Sequence, residues 1–298
     1  MSIWGREGWR LGLSSLAIYL TLSVPAAGHE GLHEQIAALT TWIEQDPTNA
    51  ELYLQRGNLH RLHRNFGLAL TDYDRAAQLQ TSLAAVDLFR GLTFLDAGAP
   101  HLAKLALDRF LATQPDHAEA RVARARALMR LGSHLAAAAD LTHAINQSPK
   151  PKPEYYLERA RALAAHGEER IDEALHGLDE GMKTLGPIIT LQLYAIELEL
   201  QKKRPEAALA RLGQITAQAA RKESWLARRG EILEQAGRHA DAREAYAAAL
   251  AAMETLPASR RKTKMMSELD RRLHAGLERL RAPEGNAAAS ERQGEPRP

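Results

Sequence analysis

The sequence predicts an all-α protein, a solenoid of about six helix-turn-helix repeats, and three observations carry that reading. Small residues recur with a fixed period: Gly57, Gly91, Ala125, Ala160, Ile196 and Gly230 are spaced by 34, 34, 35, 36 and 34 residues. A second series, Ala69, Ala103, Ala137, Ala174, Ala208 and Ala242, follows at 34, 34, 37, 34 and 34. Recurrence at this period marks stacked units that cannot bury an apolar face alone. Composition agrees, because 45% of the 298 residues are hydrophobic and 26% are charged, as in folded soluble chains, while aromatics supply only 5%. Alanine-rich segments with few bulky anchors favour closely packed helices over strands.

From the N terminus, residues 1–28 read as a secretory leader. Arg6 and Arg10 give a weakly basic start, Leu11 to Val24 is apolar, and Pro25, Ala26, Ala27 and Gly28 end in small residues suited to cleavage. The apolar run is shorter than the roughly 20 residues a spanning helix needs. A cut after Ala26 or after Gly28 is therefore expected, and with it a periplasmic location and no stable membrane span. The chain contains no cysteine, which excludes disulfides, thiolate catalysis, Cys-ligated zinc and a cysteine-linked lipid anchor.

Residues 29–49 hold an amphipathic helix, over 30–46, in the position of a half-repeat, ending before Pro47. The six repeats occupy residues 50–256. In each, the first small-residue series lies near the middle of one helix and the second begins another. Between them is a turn holding Gly98, Gly132, Gly167 or Gly237. A mid-helix glycine such as Gly57 costs about 1 kcal/mol relative to alanine, which the close approach of the partner helix offsets. In residues 257–281, Met265, Leu269, Leu273, Leu277 and Leu280 recur at helical spacing, as expected of a helix that caps the last repeat. Residues 282–298 have no apolar period and are expected to be disordered.

The order of these residues within a unit resembles the tetratricopeptide repeat. Repeat one shows Tyr53, Gly57, Ala69, Tyr73 and Ala76; repeat two Gly91, Gly98, Ala103 and Pro115; repeat three Ala125, Gly132, Ala137, Ala144 and Pro149; repeat six Gly230, Gly237, Ala242, Tyr246 and Ala249. The resemblance covers about residues 50–256. Repeat four carries a two-residue insertion, and repeat five departs most, with Ile196 at the small position and Lys203 at the turn. What the resemblance implies is a right-handed superhelical solenoid whose concave groove, lined by the first helices, binds other proteins.

The charged residues fall into two phases. Arg56, Arg90, Arg124, Arg159 and Arg229 each precede the small residue of a first helix, and Asp72, Asp74, Asp108, Asp140 or Asp179 lies on the second. Intra-repeat ion pairs are expected, with the arginine stems packed between helices. The positions the resemblance assigns to the groove hold Asn58 and Arg61 in repeat one, Arg126 and Arg130 in repeat three and Arg161 in repeat four. Glu197, Glu231 and Glu234 follow in the last repeats. Such a gradient orients an extended segment whose carboxylates meet the arginines; the plainer reading is a solvated helix face. Leu88, Leu92 and Leu95 of repeat two add an apolar stretch that favours binding. Asn58, Arg61, Leu88, Leu92, Arg126, Arg130 and Arg161 are therefore the candidate partner-binding residues. The lysines of the basic clamp found in some chaperone-binding members are missing, with Leu54 at one of those positions, so that specificity is not carried over.

A net charge of +2 gives no basic stripe for nucleic acid. No dinucleotide or Walker loop, H-E-x-x-H helix or nucleophile elbow is expected in the mature region, so no enzyme activity, catalytic residue or cofactor is predicted. The search for chemistry leaves histidines. His60 and His63 read as helix packing. His29 is different, because a cut after Gly28 leaves its free amine with His33 four residues on, and a cut after Ala26 makes it third, where a square-planar Cu(II) site forms. The expectation is a non-catalytic scaffold or adaptor of the bacterial cell envelope that binds another protein or peptide. A copper-binding accessory protein is the alternative.

Overall fold

The computed structural model describes residues 29–82 and 84–281, the side chains of residues 29 and 30 excepted. The leader at 1–28 and the tail at 282–298 lie outside the described residues. Among the described residues there are fifteen α-helices and no strand, and no helix long and apolar enough to cross a membrane. The chain divides into two compact units, one ending at Thr81 and one beginning at Ser82.

The first unit holds α1 (His29–Gln45) and the hairpin of α2 (Ala50–Leu62) and α3 (Phe66–Leu79). The second holds five hairpins: α4 (Ala85–Asp96) with α5 (Pro100–Thr113), α6 (Ala118–Arg130) with α7 (His134–Gln147), α8 (Pro153–His166) with α9 (Ile171–Leu185), α10 (Ile189–Gln201) with α11 (Pro205–Gln218), and α12 (Glu223–Gln235) with α13 (His239–Glu254). The short α14 (Ala258–Arg261) and α15 (Lys264–Arg279) follow. Local chemistry starts several of these helices. Asn49 accepts from the Glu51 N–H at 3.2 Å, and Pro100, Pro153 and Pro205 stand in the first turn, where a missing N–H costs nothing.

The periodic small residues are packing positions. Ala69, Ala103, Ala137, Ala174, Ala208 and Ala242 are wholly buried. A Cβ on Gly57 would lie 2.5 Å from Tyr73 Cε1, one on Gly91 2.5 Å from Leu107 Cγ, and one on Gly230 2.3 Å from Tyr246 Cε1. Glycine on the first helix thus makes room for a large side chain on the second. In repeat five Ile196 and Leu212 are buried in one aliphatic layer, which is how that unit takes a branched residue at the small position.

The turns show one rule and two departures. Gly98, Gly132 and Gly237 have φ of 76°, 73° and 73°, the left-handed region that costs glycine little. Arg64 and Lys203 hold the same turn position with φ of 64° and 56°, which costs an L-residue roughly 1–2 kcal/mol. Lys203→Gly and Arg64→Gly are each expected to raise the unfolding free energy, read as a higher urea midpoint, by up to about 1 kcal/mol after the greater freedom of glycine in the unfolded chain is subtracted. A midpoint that stays or falls would show that these turns carry no strain. Gly167 does not follow the expectation: its backbone is extended, and a 3-10 turn, Glu168–Arg170, absorbs the insertion.

The Arg–Asp pairing recurs only where the spacing allows it. Arg56 donates Nε and Nη2 to Asp72 at 2.9 and 2.7 Å, and Arg124 donates the same pair to Asp140 at 2.7 and 2.6 Å. The same offset from Arg90 and Arg229 lands on Ala106 and Ala245. Arg90 lies instead 3.9 Å from Asp87 of its own helix. In repeat four the insertion brings Gly177 to the aspartate's place. Arg159 therefore crosses Gly177, donating to its carbonyl at 3.3 Å and to Glu180 at 2.6 Å. Asp179, its expected partner, accepts from Arg211 at 2.6 and 3.0 Å.

At the C-terminal end α15 packs on α12 and α13. Its buried face is Met266, Leu269, Leu273 and Gly276, whereas Met265 is 64% exposed. This corrects the expectation for Met265. Thr263 accepts the Met266 N–H at 3.4 Å and starts the helix so that Met266, not its neighbour, shares a face with Leu269 and Leu273.

Candidate partner-binding site

The first helices of the repeats carry the candidate residues, which the structure divides between the two units. Asn58 and Arg61 belong to the first, on α2, and bond each other: Arg61 donates Nε and Nη2 to Asn58 Oδ1 at 3.2 and 3.0 Å. Leu88, Leu92, Arg126, Arg130 and Arg161 belong to the second unit.

In that second unit the side chains of successive first helices touch one another. Leu88 and Leu92 on α4 are half-buried against the cluster of Leu95, Leu107 and Phe110. Leu95 itself is core, not groove. Its carbonyl accepts from Arg130 Nη1 of α6. Arg126, one turn earlier on α6, makes a fork with Glu158 of α8, donating Nε to Oε2 at 3.0 Å and Nη2 to Oε1 at 2.7 Å. These bonds hold the Arg126 pKa above its ordinary value, against the opposing effect of burial. Arg161 on α8 lies over the ring of Tyr194 on α10, its Cζ 5.6 Å from the centroid. Burial raises the Tyr194 hydroxyl pKa, with Arg161 pulling the other way.

The arginines therefore differ in what they have left to offer. Arg126 is committed to Glu158 and Arg130 to a backbone carbonyl, while Arg161 meets no carboxylate among the described residues. Its guanidinium lies within cation–π reach of Tyr194, and its N–H groups are the kind through which arginine recognises carboxylates. Tyr194 is the residue that repeat periodicity overlooks. Its signal is an aromatic on the next first helix, three residues before Glu197, the position that corresponds to Arg161.

The acidic end of the expected gradient is occupied from within. Glu231 accepts from Arg228 of its own helix at 3.1 Å and from Arg272 of α15. Glu234 accepts Nε and Nη2 of Arg279 at 3.0 Å each, and the Tyr246 hydroxyl at 2.7 Å. The Arg279 bonds hold the Glu234 carboxyl below the ordinary range. Sequence reading missed these partners because they come from the capping helix, 41 and 45 residues away.

Motif search also passes over residues 29–33, His-Glu-Gly-Leu-His. They have the spacing H-E-x-x-H, against the expectation that the motif is absent, and their backbone opens α1.

The comparisons with known proteins concern the fold. A family model described as a tetratricopeptide repeat-like domain matches residues 164–268, and one described as a tetratricopeptide repeat matches residues 90–151. Among solved structures, a tetratricopeptide repeat protein from Parabacteroides merdae is 16% identical with a TM-score of 0.52, over 82% of this chain and 93% of that one. PilW, described as a type IV pilus biogenesis factor, is 17% identical at 0.52, over 66% and 91%. YrrB, described as a repeat protein with an unusual peptide-binding site, is 22% identical at 0.51, over 60% and 91%. No curated protein matches the sequence.

Proposed function

For a chain that belongs to the tetratricopeptide-repeat family, we propose a non-catalytic role: a scaffold of the bacterial cell envelope that holds an extended, partly acidic segment of another protein on the first-helix face of its second unit. The observation that carries this reading is Arg161, oriented by Tyr194 and without a carboxylate of its own among the described residues. Leu88 and Leu92 supply apolar contact two repeats earlier, and the Arg126–Glu158 fork holds the intervening surface in shape. Affinity would come from the apolar contacts and register from Arg161, since electrostatic complementarity acts chiefly on specificity and on-rate. The envelope assignment rests on the leader-like residues 1–28, and the absence of cysteine suits an oxidising compartment.

The test is crosslinking in the envelope fraction with wild type and Arg161→Glu, both equally helical by circular dichroism. The partner taken by wild type is expected to bind Arg161→Glu about tenfold more weakly, equivalent to about 1.4 kcal/mol. Equal capture by both would remove Arg161 from the site and with it this reading of the face.

A further inference from the structure

We infer that a second docking site lies at the C-terminal end of the second unit, in the groove between α10, α12 and α15. Its occupant is a segment of another protein in which one large apolar side chain stands next to carboxylates. The inference does not rest on Arg161, which belongs to α8 and is no part of this groove.

The groove has a volume of about 700 Å³, within the roughly 300–1,000 Å³ of ligand-holding clefts. Its lining is largely apolar. Leu193 of α10 and Trp225 of α12 are only partly buried against the core, and α15 contributes the buried Leu269 and Met265, which is 64% exposed. Met265 is the side chain that the start of α15 at Thr263 leaves out of the core. In the groove it shares one surface with Leu193 and Trp225. An apolar side chain seated there removes the exposed parts of all three from water, and the flexible thioether adapts to the shape of an aromatic or aliphatic anchor.

Charge decides what flanks that anchor. By sequence this end of the first-helix face is acidic; in the fold its carboxylates are used up. Glu231 is shared by Arg228 and Arg272, which line the groove with it, and Glu268 accepts from Arg271 at 3.3 Å. What remains is positive. Lys264 lines the groove beside Met265, and Arg260, Arg261 and Lys262 precede it at the end of the short α14. All four are exposed, none meets a carboxylate among the described residues, and no acidic residue lies between Glu254 and Glu268 in the chain. Carboxylates beside the anchor find complementary charge there, which speeds and directs docking. An anionic bilayer is drawn by the same cations, but it takes up apolar groups that stand out from a protein surface. Here they line a concavity, which one side chain can enter and a lipid surface cannot.

The experiment is a fluorescence-anisotropy titration of the full chain with a labelled peptide that carries one phenylalanine between glutamates in a glycine–serine background. A control peptide has alanine for the phenylalanine. Saturable binding by wild type is expected, about tenfold weaker in Met265→Asp, in the double variant Lys262→Glu, Lys264→Glu, and for the alanine peptide. The three altered side chains are exposed, so unchanged helicity is expected and is checked by circular dichroism. Added salt should weaken binding to wild type more than to the double variant, because exposed charges are screened. In the unaltered chain the methyl signal of Met265 should shift with peptide while that of Met129 on α6 stays. Arg161→Glu should bind the peptide as wild type does; loss in that variant would assign the peptide to the Arg161 face and overturn the second site. No saturable binding, equal binding of the alanine peptide, or unchanged binding in Met265→Asp would each overturn it too. So would capture of the chain by phosphatidylglycerol vesicles in place of the peptide, which would make the basic run a lipid-facing patch.

Discussion

Replacing Gly230 by alanine is expected to lower the stability of the second unit by about 2 kcal/mol, although alanine is the better helix former. The ring of Tyr246 is held on both sides: a Cβ on Gly230 would lie 2.3 Å from Cε1, and one on Gly276 of the capping helix 2.7 Å from Cε2. The ring cannot swing aside, because its hydroxyl is tied to Glu234 at 2.7 Å and it is buried between α12, α13 and α15. Overpacking of this kind costs roughly 1–3 kcal/mol, set against a propensity gain of about 1 kcal/mol. Since the ring has no free side, the upper end of the cost applies. For a unit of this size about 2 kcal/mol corresponds to a fall in Tm of about 4–8 °C. The control is Gly213, mid-helix in α11, where a Cβ meets nothing within 4 Å. Gly213→Ala should raise Tm. A calorimetric scan in which both substitutions shift Tm in the same direction would show that propensity, not the clasp around Tyr246, governs these glycines.

The second large effect is expected at Arg124. This side chain joins two repeats, donating Nη1 to Asp108 at 2.8 Å while its Nε and Nη2 hold Asp140. Asp140 is only 5% exposed in its side chain and also accepts from Arg121 at 3.0 Å. The Asp140 hydrogen bonds keep the Arg124 pKa raised despite burial. Arg124→Met strands most of the Asp140 charge inside the hairpin. Breaking a buried pair costs roughly 3–5 kcal/mol, and with Arg121 still in place the low end, about 3 kcal/mol, is expected in urea unfolding. The double variant Arg124→Met, Asp140→Leu should recover most of that loss, because the penalty lies in the unpaired charge. A double variant no better than the single one would mean that the arginine stem, not the charge, holds the repeats together.

The pH dependence follows from the same groups. Burial would raise the Asp108 pKa, but hydrogen bonds from Lys104 and Arg124 outweigh it and hold the carboxyl low; Glu234 is depressed by Arg279. A carboxylate depressed in the folded state contributes stability above its unfolded pKa of about 4, and that stability is lost as pH falls through the folded value. Burial lowers the His60 pKa, so its protonation costs stability as pH falls below about 6.5; urea midpoints should therefore decline modestly below about pH 6.5 and fall further below about pH 4.

Much of this architecture is legible in the chain. The 34-residue period, the buried alanine series and the turn glycines at 98, 132 and 237 all follow from local rules: a small residue where two helices approach, glycine where φ is positive. These features repeat, and repetition makes them visible without coordinates. The charge pattern is only half legible. Arg56–Asp72 and Arg124–Asp140 share one sequence offset and were readable, whereas Arg159 turned to Glu180 because a two-residue insertion replaced its aspartate by Gly177.

What the sequence determined by itself is therefore the class of fold, its repeats and their contact positions, because each depends on residues within one period of each other. What only the tertiary structure decided is which charged groups remain available. Glu231 and Glu234 are taken by arginines of a helix more than one repeat away, Arg126 by Glu158 of the next repeat, and Arg161 is turned by Tyr194. His33 and His63 likewise meet only because α1 packs on α2. A side chain's partner is set by distance in space, which a one-dimensional pattern records only when the separation recurs.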